Sequence, residues 1–453
     1  MKVLKFGGTS VGTVESLLNV KKIVESIEGN SIIVVSALGG LTDKLIATAE
    51  MAAKTSPQWK EEMSAIENRH FNIIESVVPD EKKDKVKEEV SNLLKDLKRN
   101  YEGVALINDL PAKILDVIVS FGERMSSIIV AAMIQDGERH DSLNFIKTEK
   151  RFGKNIEDKN LTNQLIIEEF SKPFKKAIVP GFISTDTKTG EITNLGRGGS
   201  DFTGALIAAA LNAEVLEIWT DVNGFMTADP RIVDDAFVVD HMSFTESMEL
   251  CTFGAKVIYP PTIYPVFHKN IPIKILNTFN PQAPGTLITD TKMENDLPIK
   301  GVTALRNLSL ITIKAINGCR IPNARKRSFN VLSKNGIRII PVSNNEPEQE
   351  FSFAVSSADS ENSLSNIIKE FAPEIGSSKA NSPICSNNLS AIAVVGDNLK
   401  SQTRLAARIE NSLSRDGIKV NAISIGNSDT TIAFIIGSEH TERALRLIHA
   451  LIF

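Results

Sequence analysis

Lys5 and Phe6 end a short apolar stretch and are followed at once by Gly7-Gly8-Thr9-Ser10. Two glycines let backbone amides approach a phosphate closely, and a helix beginning after them adds partial positive charge. An ammonium group on the same axis can neutralise a transferring phosphoryl group. A Gly-Gly turn is also an ordinary strand-to-helix connection, so this motif alone leaves both readings open. It is not a Walker loop, because GxxxxGK[ST] is absent from the chain. A second glycine turn, Leu195-Gly-Arg-Gly-Gly-Ser-Asp201, adds Arg197 and Gly198, and Ser200 and Asp201 at a helix start. The guanidinium of Arg197 is a planar fork that suits a carboxylate. Ser200 and Asp201 are equally good N-capping residues, and capping does not exclude chemistry.

Two further stretches carry polar groups in useful places. Phe121-Gly-Glu-Arg-Met-Ser126 sets Glu123 just after an apolar run, where its carboxylate can bind an ammonium group or simply open a helix. Ile218 to Arg231 (IWTDVNGFMTADPR) starts at a strand end and runs into a turn-rich loop. Polar groups outside the carboxyl ends of strands are typical of nucleotide sites in α/β proteins. Lys256, in Phe253-Gly-Ala-Lys256, is a further cation beside a glycine, though a lone lysine is usually a surface residue.

The elements that must position these groups read as an α/β arrangement. Val3 to Phe6 is a buried-type strand, Val14 to Ile27 has apolar residues at helical spacing, and Ser31 to Ala37 is a second strand without alternation. Strands and helices alternate to about Thr289, with strands at Ala177 to Val179 and Val215 to Trp219. Pro57 to Arg99 is Lys- and Glu-rich with an apolar stripe (Phe71, Ile74, Val86, Val90, Leu93, Leu94, Leu97), which predicts surface helices inserted as a flap. Asp290 to Pro298 reads as a linker.

The last third contains an internal repeat. Asn330 to Ile337 (NVLSKNGI) matches Asn411 to Ile418 (NSLSRDGI), 81 residues on. The same offset aligns Leu308-Ser309 with Leu389-Ser390, Val342-Ser343 with Ile423-Ser424, and Phe351 to Val355 with Ile432 to Ile436. Each copy reads strand, helix, strand, strand, helix, a small ferredoxin-like unit.

A length of 453 residues predicts two or three domains. A net charge of −4 argues against nucleic acid or an anionic membrane as partner. Cys251, Cys319 and Cys385 are far apart without CxxC spacing, so neither a disulfide framework nor a zinc site is expected. No apolar run reaches the ~18 residues needed to span a bilayer, and no signal-peptide core fits after Met1. A soluble, cytoplasmic protein is expected.

In order, KFGGTS, VSALGGLTD (with Ser36 and Thr42), FGERMS, the Gly181-Phe182 turn, LGRGGSD, WTDVNGFMTADPR and FGAKV resemble the aspartate kinases over the whole chain. The resemblance is strongest to the kinase half of bifunctional aspartate kinase–homoserine dehydrogenases. It implies an amino-acid kinase fold over residues 1–295, with a helical insertion at 55–105, then two ACT domains at 300–380 and 386–453. It implies ATP-dependent phosphorylation of the L-aspartate side-chain carboxylate, the first step towards lysine, threonine and methionine. Lys5 and Asp201 are the implied catalytic pair. Thr42, Glu123, Phe182, Arg197, Gly198 and Ser200 would bind aspartate. Lys5, Gly7, Gly8, Thr9, Ser10, Ser36, Thr220, Asp221, Met226, Asp229, Arg231 and Lys256 would hold ATP, with Mg²⁺ carried on its phosphates and no protein metal site. A homodimer or larger homo-oligomer through the ACT domains is implied, with threonine or lysine as effector.

Some positions depart from the family pattern. Met226 and Tyr259 replace a tyrosine and a histidine common in relatives, and a packing change is expected at Tyr259. The first repeat's turn, Ala315 to Asn323, and the second's, Val395 to Arg404, keep one glycine each, Gly318 and Gly396. Fewer glycines restrict close backbone approach to an effector. No GxGxxG turn occurs in the chain, so no dinucleotide-dependent dehydrogenase half is expected within it. A catalytically silent amino-acid sensor, or a kinase for another amino acid such as glutamate, are the competing readings.

Overall fold

The computed structural model describes residues 1–151, 154–291, 293, 296–314, 320–342, 350–375, 382–399, 402–425 and 429–453. The chain divides into two compact units, Met1–Phe225 with Val257–Lys292, and Met226–Lys256 with Met293–Phe453. Among the described residues no helix is long and apolar enough to cross a membrane.

The first unit is built on a largely parallel sheet. Its strands run side by side in the order Thr286–Ile288, Ile273–Asn277, Val215–Thr220, Lys2–Phe6, Ser31–Val35, Lys176–Pro180 and Gly137–Arg139. Only Thr286–Ile288 runs antiparallel to its neighbour among these. Every residue of Ser31–Val35 and Lys176–Pro180 is buried. That explains their unbroken apolar reading: both faces are covered, so neither selects polar residues. Strand alternation then sorts the first strand. Leu4 and Phe6 point into the core beneath the helices Val14–Glu25, Leu41–Ala53 and Ala112–Met133. Lys5 points the other way, towards the helix Gly199–Ala210, where Gly204 leaves room beside its Cβ.

The Lys- and Glu-rich stretch is helical, as Trp59–Val77 and Asp80–Ile107, but it is not a solvated flap. Trp59, Ile66, Ile74, Val90, Leu97 and Tyr101 join the same apolar cluster as Leu4 and Phe6. The charged residues occupy only the outer face. The sequence shows the stripe but not its partner, since an amphipathic helix on a core and one lying alone share the same pattern.

The second unit holds the repeat. Six antiparallel strands lie in the order Ile340–Pro341, Glu350–Ser356, Ile299–Lys314, Ile384–Gly396, Thr431–Gly437 and Val420–Ile425. The 81-residue offset is kept in the pairing: Ser309 faces Val355 and Ser390 faces Ile436. It is kept in the hydrogen bonds, with Ser309 Oγ 3.2 Å from Ser357 Oγ and Ser390 Oγ 3.1 Å from Ser438 Oγ. It is kept in the backbone, where Asn307 and Asn388 both have φ of 59°. The helices Ile321–Lys334 and Ser360–Glu370 cover one face of the first copy, and Thr403–Arg415 and Thr441–Ile452 the same face of the second. The opposite face packs around Leu308, Leu310, Leu389 and Ile435, with Phe253 at the end of the helix Phe244–Thr252. The two outer strands meet there, Ser424 Oγ donating to the Pro341 carbonyl at 2.6 Å.

Gly318 and its turn from Ala315 to Cys319 lie outside the described residues, as do Ser343, Lys400 and Ser401. Gly396 is described, and the position of a Cβ on it lies 2.3 Å from the Pro298 carbonyl oxygen. The next amide, Asp397 N, donates to that same carbonyl at 2.9 Å. The linker stretch is itself anchored, since Asp296 accepts from His241 Nδ1 at 2.8 Å and pairs with the buried Lys300 at 3.1 Å.

Because Leu97 is fully buried, Leu97→Ala is expected to destabilise the protein by about 2–5 kcal/mol. Urea unfolding followed by fluorescence checks this; a shift below ~0.5 kcal/mol, the usual surface value, would return the helix to the flap reading.

Candidate active site

Register brings the turns to one sheet edge. Phe6 lies beside Val35 and Trp219, Val35 beside Pro180, and Thr220 beside Asn277. The chain leaves the sheet at the same level on each of these strands. Gly7, Ser36, Gly181, Asp221 and Thr278 therefore emerge together at the carboxyl edge. Backbone bonds tie the exits to one another: Gly7 N donates to the Trp219 carbonyl at 3.1 Å, Ser36 N to Phe6 at 3.2 Å, and Thr278 N to Thr220 at 2.9 Å.

A cavity of about 250 Å³ opens here, lined by Lys5, Ser36, Phe182, Arg197, Ser200 and Asp201 together with the glycines of the second turn. Lys5 Nζ lies 2.5 Å from Asp201 Oδ1, and the two side chains are only 11% and 13% exposed. The contact is an ion pair rather than an aligned hydrogen bond. Asp201 stands in the first turn of Gly199–Ala210, capped by Gly198 at φ 70° without any side-chain cap. Capping is therefore not what Ser200 and Asp201 do. Gly198 has a second constraint, because a Cβ there would lie 2.4 Å from Tyr259 Cβ. Tyr259, expected to change packing only, fills the space behind the turn.

Arg197 is exposed and lines the cavity, while Ser200 is buried. Phe182 adopts φ 68°, and its amide donates to Thr203 Oγ1 at 3.1 Å. Thr203 in turn donates to the Gly199 carbonyl at 2.9 Å. This buried threonine couples the two turns that meet at the cavity, and sequence reading missed it. Its only signal is a hydroxyl among the small apolar residues of that helix.

Glu123 is not at a helix start. It lies midway along Ala112–Met133 and is 4% exposed. Burial pushes its carboxyl up to about 8, against the pull of the Ala37 amide, its own amide and the Lys5 charge. Oε2 has no hydrogen-bond partner. A buried carboxyl with a spare acceptor is suited to a cation that arrives with the ligand.

Other expected residues are placed differently. Ser10 is fully buried, and its hydroxyl contacts Thr278 Oγ1 at 2.7 Å and the Trp219 carbonyl at 3.3 Å, so it holds the turn together. Thr42 is half-buried in the first turn of Leu41–Ala53 and does not line the cavity. Gly8 and Thr9 continue the first turn, with Gly12 N donating back to the Thr9 carbonyl at 3.4 Å. Thr220 and Asp221 hydrogen-bond each other at 3.1 Å at the strand end. Met226, Asp229, Arg231 and Lys256 belong to the second unit. There Arg231 grips Asp229 at 2.9 and 2.7 Å and holds its carboxyl below the usual range. Among the described residues no three His, Cys, Asp or Glu side chains gather as a metal site.

A family model described as Amino acid kinase family matches residues 1–277, and one described as ACT domain matches residues 392–451. The chain is 31% identical over 465 residues to the bifunctional aspartokinase/homoserine dehydrogenase of Haemophilus influenzae, covering 100% of this chain and 56% of that one. It is 29% identical over 461 residues to lysine-sensitive aspartokinase 3 of Escherichia coli, covering 100% and 99%. The crystal structure of E. coli aspartokinase III in complex with aspartate and ADP matches with a TM-score of 0.84 at 28% identity, over 99% of each chain. The chain thus spans about half the length of the bifunctional relative and nearly all of the single-activity one.

The Glu123 carboxyl gives a prediction for the ligand-free protein. Its folded value lies above its unfolded one, about 4.3. From there up to about 8 the unfolded chain ionises and the folded one does not. Stability is thus lost as pH rises through this window. Glu123→Gln is expected to melt at least ~2 °C above the parent at pH 9 and to lose that advantage at pH 5. Calorimetry at the two pH values checks it; an equal difference at both would mean that Glu123 ionises freely.

Proposed function

The chain belongs to the amino acid kinase family, and on that premise we propose that it transfers the γ-phosphoryl group of ATP to the side-chain carboxylate of L-aspartate. The product is 4-phospho-L-aspartate. The observation that carries this reading is the Lys5–Asp201 pair, held in a cavity with the Arg197 fork and with the Glu123 carboxyl nearby.

The chemistry follows from the charges. An aspartate side chain in water titrates at about 3.9, so the acceptor carboxylate is ionised at neutral pH and needs no general base. The difficulty is to bring two anions together and to neutralise charge on the phosphoryl group as it moves. Lys5 sits between the carboxylate and the γ-phosphate and stabilises both. Asp201 keeps the ammonium of Lys5 in place. Arg197 takes the α-carboxylate of the substrate as a bidentate partner, and Glu123, its proton released to water as the cation enters, receives the α-ammonium. The first glycine turn offers amides to the phosphates. Mg²⁺ fits as a partner of the nucleotide phosphates, with Asp201 the one carboxylate in the cavity lining, and it supplies further neutralisation of their charge. The acyl phosphate product is prone to hydrolysis, and the cavity shields it.

The same reading makes Thr220, Asp221, Met226, Asp229, Arg231 and Lys256 nucleotide contacts, and the protein a cytoplasmic homo-oligomer joined through its repeats. Lysine is the proposed effector, by analogy with the lysine-sensitive relative. In the second repeat the Asp397 amide already serves the Pro298 carbonyl.

A coupled ADP-release assay with aspartate, glutamate or no acceptor tests the function. Turnover is expected with aspartate alone, and Lys5→Ala is expected to lower kcat at least ~10²-fold, the scale for losing one transition-state donor. No aspartate-dependent turnover by the intact chain would defeat the reading, and a near-normal kcat in the variant would remove Lys5 from its role. Lysine added to the same assay is expected to inhibit; unchanged turnover at millimolar lysine would make the repeats purely structural.

A further inference from the structure

One guanidinium group stands behind the two turns that leave the adjacent strands Lys2–Phe6 and Ser31–Val35. Arg69, on the helix Trp59–Val77, donates from Nη2 to the Gly12 carbonyl at 2.9 Å and to the Gly39 carbonyl at 2.8 Å. Gly12 closes the turn that begins at Gly7. Gly39 belongs to the turn that begins at Ser36. A single nitrogen therefore bridges the outer ends of both. The turns also touch directly: a Cβ on Gly39 would lie 2.9 Å from the Gly8 carbonyl oxygen, so only glycine permits this approach.

Each turn carries a different part of the chemistry. The first sets Gly7 beside Lys5, the position of a Cβ on it lying 3.5 Å from Lys5 Nζ. The second supplies Ser36 to the cavity and the Ala37 amide to the Glu123 carboxylate. Its start is fixed by Ser126 Oγ, which donates to the Ser36 carbonyl at 2.6 Å, and by Ser36 N on Phe6. Its far end has Arg69. Two facing carbonyl oxygens repel each other unless a donor lies between them, and a planar cation with several N–H groups is well suited to that place.

We propose that Arg69 is a positioning residue that fixes the distance between the phosphate-facing turn and the turn serving the substrate ammonium site. It touches neither substrate. The catalytic part of this inference rests on the function proposed above; the structural part does not. A displacement of about 1 Å between reacting groups can cost ~10²-fold in rate, so loss of the bridge falls on kcat more than on binding of either substrate alone.

The test uses the full chain with Arg69→Ala and Arg69→Lys. Amide hydrogen exchange in the ligand-free protein is expected to accelerate in residues 7–12 and 36–40 together in Arg69→Ala. Arg69→Lys, which keeps the cation, is expected to lie between that variant and the parent. Acceleration confined to the helix Trp59–Val77, or in neither turn, would overturn the proposal whatever the enzyme does. In the aspartate assay kcat is expected to fall ~10–100-fold in Arg69→Ala, with KM for ATP and aspartate changed less than ~3-fold. The groove over Arg69, about 510 Å³ and open beside Gly12, Thr13 and Ser76, admits free guanidinium. Millimolar guanidinium is expected to restore at least ~3-fold of the lost kcat. A loss carried by KM, or one that guanidinium does not relieve, would overturn the positioning role. Absence of aspartate turnover in the parent would instead sink the proposed function and leave the exchange result standing.

Discussion

A lysine on a central strand of a covered sheet is costly unless an opposite charge meets it, and in this protein Asp201 does so. Lys5 and Asp201 are each almost buried, so removing either partner would leave a charge without solvent or compensation. That requirement governs the surroundings. Strand alternation turns Lys5 away from Leu4 and Phe6 and towards the helix Gly199–Ala210. The helix must begin early enough to bring Asp201 level with it. Gly198 allows that start through its positive φ, and Tyr259 backs the turn where any side chain on Gly198 would collide. Thr203 then locks the helix to the Phe182 turn through two hydrogen bonds.

The parallel sheet supplies the other half of the arrangement. Its neighbouring strands end at one level, so glycine turns from distant parts of the chain converge without any need for long loops. Their backbone groups largely satisfy one another, as in the bonds from Gly7 to Trp219 and from Thr278 to Thr220. This leaves a small set of polar side chains at that edge, and the buried Glu123 keeps an acceptor, Oε2, without a hydrogen-bond partner.

The second unit follows a different rule. Its two copies share strand register, hydroxyl pairs and even a positive-φ asparagine at the same offset. Neither copy is an independent sheet. The long strands Ile299–Lys314 and Ile384–Gly396 pair with each other, and the outer strands meet through Ser424 and Pro341. The duplication is thus preserved in backbone register and in buried side-chain contacts alike.

Periodicity and spacing were enough to read the sheet-and-helix alternation, the repeat and the residues around the cavity, because each rests on local pattern: unbroken apolar runs for doubly covered strands, glycine pairs where backbone must come close, a constant offset for duplicated units. Lys5, Arg197, Ser200 and Asp201 stand out this way, Phe182 only through the family resemblance, and all five line one cavity. Tertiary structure alone decided the rest. Ser10 looks like a phosphate contact in its motif, but its hydroxyl is engaged by Thr278, a partner 268 residues away. The charged helices look solvated, yet their stripe lies on the main core. Thr203 and Arg69 carry no motif at all, because their roles are set by which carbonyls and amides the fold brings within about 3 Å of them. A sequence records what a side chain can do; whether it is spent on the fold or left for chemistry depends on neighbours that only the folded chain provides.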